Sequence, residues 1–283
     1  MAGIITGASS GIGRALAVAL AARFGAKLII TARNIEKLAE TQKSVEQAGG
    51  QAVIVSGDMG DPNLPKQLAD ACLKNFNKID LLVNNAGYGI AGLVTDLSPE
   101  DWQRVFAVNF FGPLYATYAV LPEFTKQGHG AIVNISSVAG KVPVPGSVCY
   151  AATKHALTGM SESMAAELAP LNIDILTVCP GWVRTEFFSN NKLNDAKNPT
   201  LIAEQKDFRG WLMKEHLSIS SEEAANDILK ALIKGGSAEL VLTKPGVLME
   251  RLHGLFPDLT FELMKKIPRQ YVDASQKGQP DKN

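Results

Sequence analysis

The chain has few residues suited to cross-linking or metal binding: three cysteines and four histidines in 283 residues. Cys72, Cys149 and Cys179 lie far apart, with no CxxC pair and no Cys/His cluster at metal-ligand spacing. That excludes a disulfide framework and a cysteine-rich metal site. Three scattered thiols suit a reducing compartment, as small apolar core residues. Net charge is also missing, since 28 Lys plus Arg balance 28 Asp plus Glu. Without a whole-molecule field, nucleic acid is not an expected partner. The N-terminal region has no long apolar run; its longest, Ala15–Ala22, stops at Arg23, far short of the roughly 20 residues that cross a bilayer. MAGIITGASSGIG enters a strand at once and does not read as a signal peptide. The expectation is a cytoplasmic protein with no transmembrane segment and no metal. No repeat, low-complexity linker or composition break divides the chain.

What is present is ordinary globular composition, 46% hydrophobic and 20% charged. Short apolar runs at Gly3–Thr6, Lys27–Thr31, Ala52–Ser56, Leu81–Val83, Ala131–Ile135, Ile173–Val178 and Leu240–Leu242 read as strands. Most lack polar alternation, as strands covered on both faces do. Helical patterns alternate with them: Gly11–Phe24, Ile35–Ala48, Pro62–Asn75, Pro99–Gln127, Ser147–Leu168 and Ser221–Ile233. Ser98-Pro99-Glu100-Asp101 and Ser220-Ser221-Glu222-Glu223 supply helix starts. This alternation predicts an α/β fold, a single-domain Rossmann-type doubly wound parallel sheet of about seven strands with helices on both faces. The expected division is 1–244 for the dinucleotide-binding and catalytic domain and 245–283 for an amphipathic extension with a polar tail.

Thr6-Gly7-Ala8-Ser9-Ser10-Gly11-Ile12-Gly13 follows the first strand and opens the first helix. Glycines allow the tight turn and close approach of backbone to a pyrophosphate, and the helix start favours phosphate electrostatically. Where an NAD site would carry an acid at the end of the second strand, the chain reads Ala32-Arg33-Asn34. A guanidinium beside a small neutral residue suits a 2′-phosphate, so NADP(H) is favoured and NAD(H) remains open.

The form TGxxxGxG, with Asn84-Asn85-Ala86-Gly87 after the fourth strand, Tyr150-Ala-Ala-Thr-Lys154 on a helix and Pro180-Gly181 after the sixth strand, resembles the short-chain dehydrogenases/reductases. The motifs run in order from residue 3 to about residue 242. Tyr150 and Lys154 sit on one helix face, where an ammonium should lower the phenol's pKa toward the useful range. The resemblance implies that Tyr150 exchanges the proton, Lys154 holds nicotinamide ribose hydroxyls, Ser137 orients the carbonyl oxygen and Asn109 holds a relay water. Ser136 is the adjacent competitor for the serine role. It further implies a cofactor site made by Gly7, Ser9, Ser10, Gly11, Ile12, Gly13, Arg33, Asp58, Met59, Asn85, Ala86, Gly87, Pro180, Gly181, Val183 and Thr185, together with Tyr150 and Lys154. Asp58 would contact adenine and Thr185 the carboxamide.

The expected activity is that of an NADPH-linked carbonyl reductase or alcohol dehydrogenase. A cofactor sensor without turnover and a Rossmann-type methyltransferase are the other classes; the complete Ser137/Tyr150/Lys154/Asn109 set disfavours the former, and the latter gives no reason for YxxxK. Trp182, Phe187 and Phe188 suggest an apolar wall, and the polar stretch to Thr200 a covering loop. The resemblance suggests a homodimer or homotetramer through the helices Pro99–Gln127 and Ser147–Leu168, with small residues Ala151, Ala152, Ala156 and Gly159. Leu248, Leu252, Leu255, Leu259 and Leu263 keep helical spacing, interrupted by Gly254 and Pro257, with Lys265, Lys266 and Arg269 at the end. Such a segment could dock on the chain itself, join a second subunit or lie on a membrane surface.

Overall fold

The computed structural model describes residues 1–185, 187, 192–193 and 217–265. Glu186, Phe188, the polar stretch to Thr200 apart from Lys192 and Leu193, Lys266, Arg269 and the tail Ser275–Asn283 lie outside the described residues. Seven parallel strands form one sheet: β1 (Ala2–Thr6), β2 (Lys27–Thr31), β3 (Gln51–Ile54), β4 (Leu81–Asn84), β5 (Gly130–Ile135), β6 (Ile173–Pro180) and β7 (Ala238–Leu242). Their order is β7-β6-β5-β4-β1-β2-β3. The direction of winding reverses between β1 and β4, which pair in parallel through Gly3–Leu81, Ile4–Leu82 and Ile5–Val83. A crevice opens at the carboxyl ends of strands at such a reversal.

The strands are apolar on both sides because both faces are covered, and β1 and β4 are buried along their whole length. On one face α1 (Gly11–Phe24), α2 (Ile35–Gln47) and α7 (Ser221–Lys234) pack through Leu16, Leu20, Leu38, Val45 and Ile228. On the other, α3 (Leu64–Phe76), α5 (Gly112–Gln127) and α6 (Val148–Leu168) pack through Leu68, Phe76, Val120, Phe124 and Leu168. Both expected helix starts form, each closed by a capping box: Ser98 and Asp101 begin α4 (Pro99–Phe106), and Ser220 and Glu223 begin α7.

Two expectations need correction. The stretch Pro99–Gln127 is not regular throughout; a π-helical turn, Ala107–Phe111, joins α4 to α5. Pro113 supplies the reason, since it has no N–H to offer Asn109, the carbonyl four residues earlier. This stretch is long and apolar enough to cross a membrane, but Val108, Ala116, Val120 and Phe124 are buried in the core between α3 and the sheet. The second correction is at the C-terminus, where Gly254 does not interrupt the helix. Helix α8 runs Lys244–Leu255 and α9 Pro257–Met264, with Pro257 making the only break between them. The first turn of α8 docks on the body: Gly246 is buried, and a Cβ there would come within 2.9 Å of the Val138 side chain. His253 Nδ1 and Thr260 Oγ1, 2.6 Å apart, tie α9 back to α8. Leu248, Leu255, Phe256, Leu259, Phe261 and Leu263 remain exposed.

Candidate active site

A cleft of about 990 Å³ runs across the strand ends, from Arg33 and Asn34 past the glycine turn to Tyr150, Met249 and Met264. Gly7 and Gly11 have φ of 65° and 56°, the left-handed region that favours glycine. A Cβ on Gly7 would also lie 2.8 Å from the Ala86 Cα, so the first turn and the segment after β4 touch through backbone. Asn85 fastens that contact: its side-chain nitrogen donates to the Thr6 and Gly7 carbonyl oxygens, each at 3.0 Å. Gly7, Ser9, Ser10, Gly11 and Ile12 line the cleft, and the two glycines let backbone come close to a pyrophosphate at the start of α1. Thr185 sits beside Gly11, from which a Cβ would reach its methyl at 3.1 Å, and lines the same wall. The geometry fits a dinucleotide.

At the rim, Arg33 is exposed just past β2, and Ala32 offers no carboxylate. Asp58 accepts the Gly60 N–H at 2.8 Å and forms an ion pair with Arg104 of α4. Burial works to raise this carboxyl, but the Gly60 N–H, the Arg104 guanidinium and the charge of Arg33 together hold it below its ordinary range.

The catalytic candidates gather in the middle of the cleft. Tyr150 projects from the first turn of α6 toward Ser137, which follows β5 and lines the same cleft. Ser137 Oγ also accepts from the Ala139 N–H at 3.1 Å, fixing the short helical turn Val138–Gly140. Ser136, the competitor, turns inward: its hydroxyl lies 2.7 Å from Thr158 Oγ1 and donates to the Lys154 carbonyl at 3.1 Å. Neighbouring residues of extended backbone face opposite ways, and only Ser137 faces Tyr150. Lys154 is 4% exposed; its ammonium donates to the Ile135 carbonyl at 2.8 Å and lies 5.7 Å from the Tyr150 ring centroid.

The expected lowering of the phenol does not occur in this structure. Burial pushes Tyr150 up to about 12, against the opposing effect of the nearby Ser137 hydroxyl. The same burial pushes Lys154 down to about 8. Desolvation disfavours the charged form of each group, and here it is the dominant effect on both.

Asn109 lies in the π-helical turn and is fully buried, behind the cleft wall. Its Oδ1 accepts the Tyr88 N–H at 3.0 Å, and its Nδ2 donates to the Tyr88 carbonyl at 2.9 Å and to Thr153 Oγ1 at 3.1 Å. Gly87 separates it from the lysine: a Cβ there would be 3.2 Å from Asn109 Oδ1 and 3.7 Å from Lys154 Nζ.

A family model described as short chain dehydrogenase matches residues 2–196. The chain belongs to this family. The bovine protein named dehydrogenase/reductase SDR family member 7B is 32% identical over 274 residues, covering 94% of this chain and 81% of that one. A solved short-chain dehydrogenase/reductase from Burkholderia phymatum, in complex with NAD, superposes with a TM-score of 0.81 at 29% identity, over 91% of this chain and 94% of that one. Another short-chain dehydrogenase, from Mycobacterium paratuberculosis and bound to NAD, gives 0.74 at 27%, over 86% and 96%. This short-chain dehydrogenase is therefore an NAD(P)-dependent oxidoreductase acting on alcohol or carbonyl groups.

Within this short-chain dehydrogenase most residues singled out from the sequence line one cleft, including Met59, Asn85, Ala86, Gly87, Pro180, Gly181 and Val183. Gly13 is an exception. It is buried behind the turn, where a Cβ would come within 2.5 Å of the Gly7 carbonyl oxygen; its role is helix-to-turn packing. Trp182 and Phe187 do line the cleft, and the Phe187 ring lies 5.7 Å from that of Tyr150. Sequence reading missed Arg104, Lys37, Met249 and Met264, which also line it. Periodicity marks Arg104 only as a polar helix position, and nothing local says that it faces the loop after β3.

Proposed function

We propose that this enzyme reduces an apolar ketone or aldehyde with NADPH, reversibly, with Tyr150 as the proton donor. The observation that carries the reading is that Ser137, Tyr150 and Lys154 converge in one cleft whose other end carries the glycine turn and Arg33. When bound, the nicotinamide cofactor supplies the hydride. The phenol, pushed up to about 12, keeps its proton at neutral pH and can give it to the carbonyl oxygen as negative charge develops there. Ser137 orients that oxygen through its hydroxyl. Lys154 brings an ammonium to 5.7 Å from the Tyr150 ring centroid, with Asn109 on the far side of Gly87 as a relay position. The burial that keeps Tyr150 protonated suits it to give a proton in the reductive direction.

Arg33, Ala32 and Asn34 favour the 2′-phosphate of NADPH over a bare ribose. Asp58 would take the adenine, Lys154 the nicotinamide ribose and Thr185 the carboxamide. The NAD bound to the solved relatives makes NADH the competing cofactor. Val142, Pro143, Val144, Pro145, Trp182, Phe187, Met249 and Met264 line the cleft and suit a hydrophobic substrate. Phe111, Tyr115 and Tyr118 stand exposed on α5 and at its start, a face suited to a second copy of the chain.

The test is oxidation of NADPH and NADH, followed at 340 nm, against ketones, aldehydes and 3-oxoacyl thioesters, with Tyr150→Phe as control. Turnover that prefers NADPH and collapses about 10²–10⁴-fold in the variant supports the reading. Tight NADPH binding without turnover of any substrate would favour a cofactor sensor instead.

A further inference from the structure

Arg104 enters the cleft from α4, although no cofactor motif includes it. Its guanidinium pairs with one oxygen of Asp58 while the other oxygen accepts the Gly60 N–H, so both carboxylate oxygens have a fixed partner. A carboxylate offers about four lone-pair directions, which leaves acceptor capacity facing the cleft. The turn that carries Asp58 is also held from below. A Cβ on Gly112 would lie 2.7 Å from the Met59 carbonyl oxygen, and one on Gly60 would run into the Arg104 guanidinium. Residues 104–112 thus grip the turn 58–60 at both ends, and the π-helical turn between them carries Asn109.

Stability does not explain the pair, because its side chains are 42% and 34% exposed, and such ion pairs contribute little. Its effect is to choose a partner for Asp58. Arg33 acts on the same carboxylate, so without Arg104 the acid is left with the guanidinium at the ribose end of the cleft.

We propose that Arg104 is a positioning residue for the adenine half of the cofactor: its ion pair fixes the Asp58 carboxylate as an acceptor for the adenine amino group. The proposal rests on the reading of the cleft as a dinucleotide site. The experiment is calorimetric titration of the full chain with 5′-ADP, with reduced nicotinamide mononucleotide and with NADPH. Arg104→Met is expected to weaken 5′-ADP about five- to tenfold, leave the mononucleotide unchanged, and raise the KM for NADPH with kcat retained. Arg104→Lys should recover part of the loss, and it keeps the test open if the methionine variant does not fold. In an Asp58→Asn background, Arg104→Met should add no further loss. Equal 5′-ADP affinity in wild type and Arg104→Met, or an undiminished loss in the Asp58→Asn background, overturns the proposal. A wild-type chain that binds none of the three ligands overturns the dinucleotide reading and the proposal with it.

Discussion

Asn85 holds Gly7. Its side-chain amide, at the end of β4, donates to the Thr6 and Gly7 carbonyl oxygens, and Thr6 Oγ1 accepts in return from the Asn85 and Ala86 N–H groups at 3.0 and 2.9 Å. Two strands on either side of the winding reversal are thereby locked at the point where the phosphates would sit. Asn85→Ala leaves two carbonyls without their donor, at a cost of about 1–3 kcal/mol. We expect a Tm lower by several degrees, together with weaker NADPH binding in a fluorescence titration. A lower Tm with unchanged affinity would show that the glycine turn keeps its shape without the amide.

The two buried titratable groups set a pH dependence. Lys154, pushed down to about 8, is charged below that value and neutral above it. Tyr150, pushed up to about 12, stays protonated throughout the neutral range. If the ammonium assists proton delivery, kcat/KM for reduction should be level below about pH 8 and decline above it. Lys154→Met should lose both most of the activity and that descending limb. A level wild-type profile from about pH 6 to about pH 9.5 would remove Lys154 from the proton chemistry.

Cofactor choice should rest on Arg33. Replacing it in Arg33→Asp exchanges a phosphate-binding fork for a charge that repels phosphate and can accept from a ribose hydroxyl. The ratio of kcat/KM for NADPH over NADH is expected to fall about 10–100-fold, the scale of one or two charge-assisted hydrogen bonds. An unchanged ratio would move the discrimination to another residue of the rim, with Lys37 the next to substitute.

An aromatic series, Trp102, Phe106, Phe110, Phe111 and Tyr115, runs in successive ring contacts along α4, the π-helical turn and α5, with Phe111, Tyr115 and Tyr118 exposed. If this face joins two copies, the Phe111→Glu/Tyr118→Glu double variant should shift the mass measured by light scattering from oligomer to monomer. Phe111 and Tyr118 themselves do not line the cleft, so NADPH binding should persist. A wild-type chain that is monomeric at micromolar concentration would leave those rings without a partner.

Much of the fold was legible because its signals are local. Seven apolar runs alternate with helical patterns, and the glycine spacing after β1 states a backbone demand that few other residues meet, as the positive φ of Gly7 and Gly11 bears out. The capping boxes and the four-residue step from Tyr150 to Lys154 are equally local. Spacing alone could not assign Gly13, which packs the helix against the turn while its neighbours line the cleft, nor find the π-helical turn that buries Asn109. It also could not see Arg104 cross to Asp58, 46 residues away in the chain.

The sequence by itself determined the α/β order, the glycine cradle and the residue types able to do the chemistry. Tertiary structure decided which of two adjacent serines faces Tyr150, and that burial raises the phenol even with a lysine one turn away. The reason is physical: backbone geometry is set by contiguous residues, whereas desolvation and side-chain direction depend on what β5, β6 and α6 bring from distant parts of the chain.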